Sequence, residues 1–550
     1  MSIYQQFCRE QYDAQGNLNA FCLHYPDNYN FGYGVVDAIA DKTPQKIALV
    51  WCNTRGDEQI FNFGDLRRLS NQAANALKAR GVKKGDTVLV MLKRHFEYWF
   101  VAVALHKLGA VMAPVTHMLT GDDISYRCRA GKIKTVVCTC EDDVPSRFLR
   151  VKAESGIENI WTIRQSIPGC LNLTEEMKTC SWYLPRVETL ASEPILAYFT
   201  SGTTGYPKGV IHSHSYTLAH IVTAKYWQRA AEDGLHFTVA ETGWGKASWG
   251  KIYGQWLVGS AVMVFDFDNF DSRQLMGVIN RYKVTTFCAP PTIYRYLVKT
   301  GLVEMPSLRH VSTAGEPLNP EVFSQFLDAT GLFIMEGYGQ TETTPLLANL
   351  DRMPAKAGSM GKPTPLYRVA LQNADGTSAA DGEPGEIVVL PDENGNTPPG
   401  IFLGYIDNDA LYQYAWRGGV YHTGDTAWRD EDGYYWFNGR SDDIIKTGGY
   451  RVGPFEIESV LTAHPAVLEC SVVGIPDSLR GQAIKAFVVL APEYKPSKEL
   501  KKELKKFCNA RISNYKWIRF IDFVSEMPKT ISGKIKKRDL REWEAINEAE

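Results

Sequence analysis

The sequence lacks the marks of several protein classes. Its longest apolar run, YWFVAVAL at 98–105, ends at His106 and Lys107 and is far too short to cross a bilayer. The net charge is only −2 over 550 residues, so the whole chain has no strong attraction for nucleic acid or an anionic membrane. The first residues, MSIYQQFCREQYDAQG, contain no basic segment followed by an apolar one, and we expect no signal peptide.

Paired cysteines are also missing. The 11 cysteines are dispersed and form no CxxC pair. Cys138 and Cys140 lie in TVVCTC, which has the composition of a buried strand, and His212 and His214 form HSH. A metal site at either place stays an alternative, but neither has a second pair at metal-ligand spacing. Dispersed thiols suit a reducing compartment, and we expect a cytoplasmic protein.

What the sequence does contain is an alternation of strand and helix patterns. FGDLRRLSNQAANALKARG predicts an amphipathic helix that stops at Gly81, and DTVLVML predicts a buried strand. HFEYWFVAVALHKLG and AVMAPV repeat the pair. Such alternation with short connections predicts an α/β fold, with parallel-rich sheets covered by helices in a large N-terminal domain.

The pattern changes twice towards the C-terminus. YRVALQ and EIVVL flank a turn-rich segment and predict a small antiparallel β subdomain. After GRSDD, helix and strand patterns such as PFEIESVLTAH and IKAFVVL predict a compact α+β module. We therefore expect an N-terminal domain at 1–438, a hinge at 439–443 and a mobile C-terminal domain at 444–550.

A glycine-rich segment, YFTSGTTGYPKGV at 198–210, follows the apolar ILAYF and precedes SHSYTLAHIVTAKYW, which predicts a helix. Backbone amides and hydroxyls in such a loop can surround phosphate oxygens, and Lys208 adds a positive charge. The loop is not a Walker A motif, because Tyr206 and Pro207 separate Gly205 from Lys208. An ordinary surface loop is the alternative.

Six segments together resemble the adenylate-forming enzymes, which include acyl-CoA synthetases, peptide-synthetase adenylation domains and firefly-type luciferases. They occur in the family's order: YFTSGTTGYPKGV, AGEPLN (314–319), MEGYGQTET (335–343), YHTGD (421–425), GRSDDIIKTGGYRVGPFEIE (439–458) and PKTISGKIKKRDLR (528–541). HFTVAETGWGKASWGKIYGQWLVG is most similar to the medium-chain acyl-CoA synthetase branch. The resemblance implies that ATP activates a carboxylate to an acyl-adenylate, which coenzyme A then converts to a thioester.

The resemblance also implies an ATP site. Asp425 and Arg440 are expected on the ribose, Gln340 and Thr341 on the α-phosphate, and Glu342 on Mg²⁺. The two remaining groups are the phosphate loop, Thr200, Ser201, Gly202, Thr203, Thr204, Gly205 and Lys208, and the adenine pocket, Gly315, Glu316, Pro317, Glu336, Gly337 and Tyr338.

The small domain carries the catalytic lysine that the resemblance implies. Lys534 in SGK is expected to neutralise charge between the α-phosphate and the attacking carboxylate. Rotation about the hinge residue Asp442 is expected to replace Lys534 by a coenzyme A channel. That channel is assigned to Gly448, Gly449, Tyr450 and Arg451, although a tight turn is the alternative interpretation of the two glycines.

The acid is expected to be larger than acetate. Acetate-specific relatives carry Trp at the position of Gly339, so the glycine here implies an open volume, with Trp244 and Trp249 as walls. A medium-chain, branched, cyclic or aromatic carboxylate follows as substrate, with ATP and coenzyme A as the other partners, and neither nucleic acid nor a membrane span. The reverse reaction, a different acyl acceptor, a nucleotide-binding regulator and a homodimeric assembly stay open.

Overall fold

Two mixed sheets covered by helices form a large N-terminal domain, and a small α+β domain follows. The structure is a computed structural model, which describes residues 2–200, 207–477, 479–530 and 534–547. The α/β fold class predicted from the alternating patterns is confirmed. The first predicted helix spans Phe63–Ala79, begins with a capping box between Asn62 and Asp65, and is followed by Gly81 at φ 96°. Local capping chemistry therefore fixes both ends of this helix.

The first large sheet has eight strands, of which the last six in its order run parallel. Lys208–Ser213 is antiparallel to both of its neighbours in the sheet. In spatial order the strands are Gly404–Tyr405, Lys208–Ser213, Pro194–Thr200, Val111–Pro114, Thr87–Met91, Thr135–Cys138, Asn159–Thr162 and Leu171–Asn172.

The second large sheet has thirteen strands and joins a parallel part to an antiparallel part. Its parallel strands are Ile47–Asn53, Ala261–Asp266, Leu235–Thr238, Thr286–Cys288, His310–Thr313 and Ile334–Tyr338, with Glu58–Asn62 antiparallel at the edge. The antiparallel part continues through Leu347–Ala348, Ser359–Pro363, Tyr435–Arg440, Tyr421–Arg429, Gly385–Leu390 and Arg368–Gln372. The predicted antiparallel strands YRVALQ and EIVVL thus form the far end of this sheet.

Helices cover these sheets, and one of them lies wholly inside the domain. Every residue of Glu97–Leu108 is buried, including Lys107, whose ammonium pairs with Asp37 at 2.6 Å. The other α-helices of the domain are Ala38–Lys42, Gly121–Ala130, Val144–Ser155, Leu173–Thr179, Tyr216–Ile221, Lys246–Gly250, Tyr253–Leu257, Ser272–Arg281, Pro291–Thr300, Pro320–Thr330 and Asp409–Ala415. Shorter elements are the 3₁₀ turns Ile3–Gln6 and Arg417–Gly419, the π-helices Gly32–Asp37 and Val222–Trp227, and the hairpin Cys8–Tyr12 with Leu18–Leu23.

The C-terminal domain is the predicted α+β module. Its strands are Ile445–Thr447, Tyr450–Val452, Val467–Asp477, Gly481–Leu490 and Phe520–Phe523, and its helices are Pro454–Thr462, Lys498–Asn509, Lys537–Asn547 and the 3₁₀ turn Asn514–Lys516. Leu500, Leu504 and Cys508 form the buried stripe of Lys498–Asn509 at helical spacing, which leaves its lysines on the solvent side. Among the described helices of both domains, none is long and apolar enough to span a bilayer.

Helix Pro454–Thr462 of the small domain contacts the large domain in this structure. Helix Pro454–Thr462 packs against strand Tyr435–Arg440, and Asn319 donates to the Thr462 hydroxyl at 2.7 Å. A Cβ on Gly453 would lie 2.1 Å from the Asn438 carbonyl oxygen. Only glycine therefore lets this part of the small domain pack so closely against strand Tyr435–Arg440.

Candidate functional site

The glycine-rich loop connects two antiparallel strands. Pro194–Thr200 pairs with Lys208–Ser213, and Thr200 lies opposite Lys208. The expected direct passage from loop to helix is wrong, because GVIHS continues as a strand and the helix begins only at Tyr216. No helix N-terminus therefore lies directly after Lys208. The predicted phosphate residues Ser201, Gly202, Thr203, Thr204 and Gly205 fall outside the described residues.

The lysine of this loop lies against the predicted metal ligand. Lys208 Nζ is 2.9 Å from Glu342 Oε1, and the Tyr405 hydroxyl, 3.0 Å from Lys208 Nζ, donates to the same carboxylate oxygen at 3.0 Å. Burial raises the pKa of Glu342, but Lys208 and Tyr405 outweigh it, and the pKa is lower than usual. The carboxylate is therefore charged at neutral pH.

Tyr405 was not anticipated from the sequence. It comes from the two-residue strand Gly404–Tyr405, which pairs beside Lys208–Ser213. No motif surrounds it, and only the sheet order brings it to Glu342.

The two predicted ribose residues lie together on paired strands. Asp425 and Arg440 are direct partners in the antiparallel ladder, with 3.3 Å between Arg440 Nη1 and Asp425 Oδ1. Tyr338 and Gln340 both donate to Asp425 Oδ2 at 2.6 Å, and Tyr421 in turn donates to Gln340 Oε1 at 2.8 Å. The buried carboxylate is thus held in one orientation. Gln340, expected on the α-phosphate, orients Asp425 in this structure.

Thr341 is fixed through its backbone by a buried histidine. His212 Nε2 lies 2.7 Å from the Thr341 carbonyl oxygen, and its ring stacks on Tyr216 at 3.9 Å between centroids. Burial lowers the pKa of His212 to about 4, so the neutral ring donates this hydrogen bond at neutral pH. The alternative interpretation of HSH as a metal site missed this positioning contact.

The predicted adenine loop follows strand His310–Thr313. Gly315 has φ 107°, which favours glycine, and the exposed Glu316 accepts a hydrogen bond from the Thr292 hydroxyl at 2.6 Å. A Cβ on Gly337 would lie 2.7 Å from the Trp227 indole, so this glycine is explained by packing alone.

Glu336, also expected at the adenine pocket, is buried and accepts a hydrogen bond from the Leu318 amide at 3.4 Å. Burial raises the pKa of Glu336 to about 8, well above its ordinary value of 4.5. Between these values the folded state holds a proton that the unfolded state releases, so rising pH destabilises the fold.

A Glu336→Gln variant tests this titration. The neutral amide removes the proton uptake, so we expect the variant to gain Tm relative to the wild type near pH 8, by about 2 °C, and to lose that advantage near pH 5. Calorimetry at both pH values measures it. An equal Tm difference at the two pH values contradicts a protonated Glu336.

The predicted acyl wall and Gly339 are in contact. A Cβ on Gly339 would lie 2.7 Å from Trp249 Cη2 and equally close to the Thr344 carbonyl oxygen. The expectation that Gly339 leaves an open volume is therefore wrong, because the Trp249 indole already fills it. Trp249 is buried in an edge-to-face contact with Trp227 at 6.0 Å, whereas Trp244 is half-buried.

The residues assigned to the C-terminal domain do not converge on this cluster. Lys534 is exposed, and its backbone forms hydrogen bonds with Thr530 at 2.8 and 3.1 Å. Asp442 is exposed beside Arg440, at 3.5 Å from its Nε, and the next residue, Asp443, pairs with Arg541. The predicted catalytic lysine is thus exposed on the surface of the small domain.

A separate cleft lies on the small domain. Gly448 and Gly449, at φ 56° and 85°, form the two-residue turn between Ile445–Thr447 and Tyr450–Val452, which agrees with the tight-turn interpretation. The Tyr450 ring stacks on Tyr515 at 4.4 Å. The cleft measures about 420 Å³ and is lined by Thr447, Gly448, Tyr450, Arg480, Ile484, Asn514, Tyr515, Trp517 and Arg519. Gly449 and Arg451 are not among its lining residues.

Comparison with known families matches nearly the whole chain. Residues 36–405 match the AMP-binding enzyme family, and residues 456–534 match the AMP-binding enzyme C-terminal domain. The acyl-coenzyme A synthetase ACSM3 of Rattus norvegicus is 38% identical over 541 residues, covering 95% of this chain and 92% of that protein. Homo sapiens ACSM4 is 40% identical over 530 residues, covering 94% and 91%.

Solved structures agree. The anthranilate CoA ligase AuaEII, in complex with anthranoyl-AMP, has a TM-score of 0.86 at 27% identity, with 96% of this chain and 99% of that chain covered. The acyl-CoA synthetase of Brucella canis has a TM-score of 0.72 at 32% identity, with 96% of each chain covered.

These relatives correct the expected cellular location and show the family of the chain. Both mammalian synthetases are named as mitochondrial, so the cytoplasmic location expected from dispersed cysteines is wrong. Free thiols indicate only a reducing environment and do not distinguish one such compartment from another. The family match and the relatives together make this chain a member of the AMP-binding enzymes, an AMP-forming acyl-coenzyme A synthetase that uses ATP and coenzyme A.

Proposed function

We propose that this synthetase activates a medium-chain or ring-bearing carboxylate, with Mg²⁺ as its metal. The observation that carries the proposal is an apolar cluster beside the Thr341–Glu342 segment. Trp227, Trp249, Cys288, Ala314 and Met335 pack together. Cys288 ends one parallel strand and Ala314 follows the next, and α/β sheets bind ligands at such carboxyl ends. Trp249 of this cluster touches Gly339, two residues before Thr341. Aromatic walls suit an alkyl chain or a ring.

The donor set at Glu342 supports Mg²⁺. Within the described residues, no group of three or more His, Cys, Asp or Glu side chains could form an all-protein metal site. One buried carboxylate beside Lys208 instead suits a hard cation that takes its other ligands from water and substrate phosphates. Bound Mg²⁺ would neutralise phosphate oxygens in the ATP complex.

The first half-reaction needs a fixed nucleotide. Asp425, already oriented by Tyr338, Gln340 and Arg440, would accept the ribose hydroxyls. Lys208 would leave Glu342 for a phosphate oxygen, with Thr200 and the following loop around the same phosphates. The acid's carboxylate oxygen then attacks the α-phosphorus beside Thr341. The bond between the α-phosphorus and the bridging oxygen of pyrophosphate breaks, and pyrophosphate leaves.

The second half-reaction needs a different arrangement of the small domain. The exposed Lys534 would serve adenylation, and rotation about Asp442, between domains at 1–438 and 444–550, would then bring the turn at Gly448 and Gly449 to the adenylate. The cleft with Arg480, Arg519 and the Tyr450 ring supports coenzyme A binding, since guanidinium groups pair with phosphates and rings stack on adenine.

A carboxylate panel tests the substrate class. Purified enzyme with Mg²⁺ and ATP is offered acetate, butyrate, octanoate, benzoate and anthranilate, and pyrophosphate release is measured with and without coenzyme A. We expect octanoate or benzoate to give the highest kcat/KM, and sustained turnover only with coenzyme A. A maximum at acetate contradicts the proposed class.

Shortening Trp249 should widen the acid range. In Trp249→Ala the indole beside Gly339 is removed, so we expect the kcat/KM ratio of octanoate to butyrate to rise about 10-fold, since an apolar pocket discriminates each methylene by roughly 1–3 kcal/mol. Trp182→Ala, which removes a tryptophan 70% exposed at the surface, is the matched control. An unchanged ratio in Trp249→Ala removes Trp249 from the pocket.

A further inference from the structure

Lys246 connects the acyl wall to the predicted adenine loop. It is the first residue of helix Lys246–Gly250, one turn before Trp249. Its ammonium donates to the Ala314 carbonyl oxygen at 2.7 Å, and Ala314 directly precedes Gly315. The side chain therefore reaches from the helix that carries the indole to the loop expected beside the nucleotide.

An apolar cluster and a predicted α-phosphate residue lie near Lys246. Ala314 and Trp249 belong to the same apolar cluster, together with Cys288 from the neighbouring strand end. The residue before Lys246 lies near Thr341, since a Cβ on Gly245 would lie 3.8 Å from Thr341 Cγ2. Lys246 thus lies where an acid bound against Trp249 would meet an α-phosphate bound at Thr341.

Among the described residues, Lys246 forms no ion pair with a carboxylate, unlike the buried Lys107 and Lys93; Lys251, one residue past the same helix, forms none either. Lys107 pairs with Asp37 at 2.6 Å, and Lys93 pairs with three carboxylates, including Glu141 at 3.0 Å. Lys246 is half-buried, and burial lowers its pKa, an effect that the more distant charge of Glu316 partly opposes. A half-buried cation that no carboxylate contacts directly is stabilised when a ligand supplies that carboxylate.

We propose that Lys246 binds the carboxylate of the substrate acid and positions it for attack on the α-phosphorus. The inference rests on the proposed acyl pocket and adds a cation that belongs to the large domain. The ammonium contacts one carboxylate oxygen while the other attacks. The new bond joins that oxygen to the α-phosphorus, the bond to the pyrophosphate oxygen breaks with its electron pair, and Lys246 keeps its protons throughout. Lys534 then acts on a carboxylate that is already held.

A structural brace is the competing explanation, since Lys246 also holds the Ala314 carbonyl. The two differ in which substrate they affect. A brace on the predicted adenine loop weakens ATP and acid binding together, whereas a carboxylate ligand weakens acid binding alone.

Three variants separate these explanations. Lys246→Met removes the charge at similar length, and Lys246→Arg keeps it. Lys251→Met is the matched control, because Lys251 is a buried lysine one residue past the same helix that also donates to a backbone carbonyl, Ala240, at 2.7 Å, but faces Trp99. The measurements are KM for acid and for ATP in pyrophosphate–ATP exchange, and equilibrium binding of octanoate and benzoate without ATP.

We expect Lys246→Met to raise KM for the acid about 10- to 100-fold, as the loss of a charge-assisted hydrogen bond implies, with KM for ATP little changed. Lys246→Arg should restore part of the loss, and Lys251→Met should leave both values near those of the wild type. An unchanged KM for the acid in Lys246→Met, or equal rises for acid and ATP, overturns the role. Wild-type enzyme that shows no acid-dependent exchange would instead overturn the proposed function itself.

Discussion

Lys534→Ala is expected to lower the rate of adenylate formation by about 10²- to 10³-fold, the range found when one donor to a charged transition state is removed. Lys534 is exposed, and its hydrogen bonds with Thr530 are made by its backbone and do not involve its side chain. The substitution should therefore leave the fold intact. Thioester formation from supplied acyl-adenylate should stay close to the wild-type rate, because that step uses the other orientation of the small domain.

The two half-reactions are measured separately, by single-turnover pyrophosphate release and by thioester formation from purified acyl-adenylate. Lys536→Ala is the matched control, an exposed lysine two residues further on that pairs with Asp539 at 3.6 Å. We expect it to behave as the wild type in both assays. Equal losses in the two half-reactions of Lys534→Ala would refute a role confined to adenylation.

Glu342→Gln should produce the second large effect. The amide keeps the shape of the side chain but removes the negative charge that faces Lys208 at 2.9 Å. We expect the Mg²⁺ concentration for half-maximal adenylation to rise at least about 10-fold, as when a residue that supports a metal site is removed. We expect the maximal rate to fall by about 100-fold, as when one group that stabilises the charged transition state is removed.

The measurement is a Mg²⁺ titration of acid-dependent pyrophosphate release at saturating ATP. Glu321→Gln, on an exposed carboxylate of helix Pro320–Thr330, serves as control and should leave the titration unchanged. A Glu342→Gln variant with wild-type Mg²⁺ dependence would remove this carboxylate from the metal site.

The sequence predicted the fold where local chemistry decides it. Helix Phe63–Ala79 was predicted from its amphipathic pattern and from Gly81 as its stop, and the C-terminal segment PFEIESVLTAH forms helix Pro454–Thr462. The sequence did not predict the strand Lys208–Ser213, which lies between the glycine-rich loop and the next helix. That strand depends on pairing with Pro194–Thr200, an interaction that periodicity over a short window does not report.

The residues of the site were also predicted only where a motif marks them. Motifs named Asp425, Arg440, Lys208 and Glu342, and the structure brings them into two neighbouring clusters. The motifs did not name Tyr405, which sheet order alone places beside Glu342.

The acyl side was misjudged for a physical reason. Comparing Gly339 with a tryptophan in acetate-specific relatives treats volume as a property of one position, whereas Trp249, from a distant segment, fills that volume here. Side chains from separate segments share the space of a pocket, so a glycine predicts open room only when its neighbours in space are known.

Isotope exchange between labelled pyrophosphate and ATP shows whether an acid is joined to a metal-bound nucleotide before coenzyme A takes part. With octanoate or benzoate and Mg²⁺, we expect exchange in the absence of coenzyme A, and none when the acid or the metal is withheld. Exchange that appears only when coenzyme A is present, or with none of these acids, would contradict this expectation.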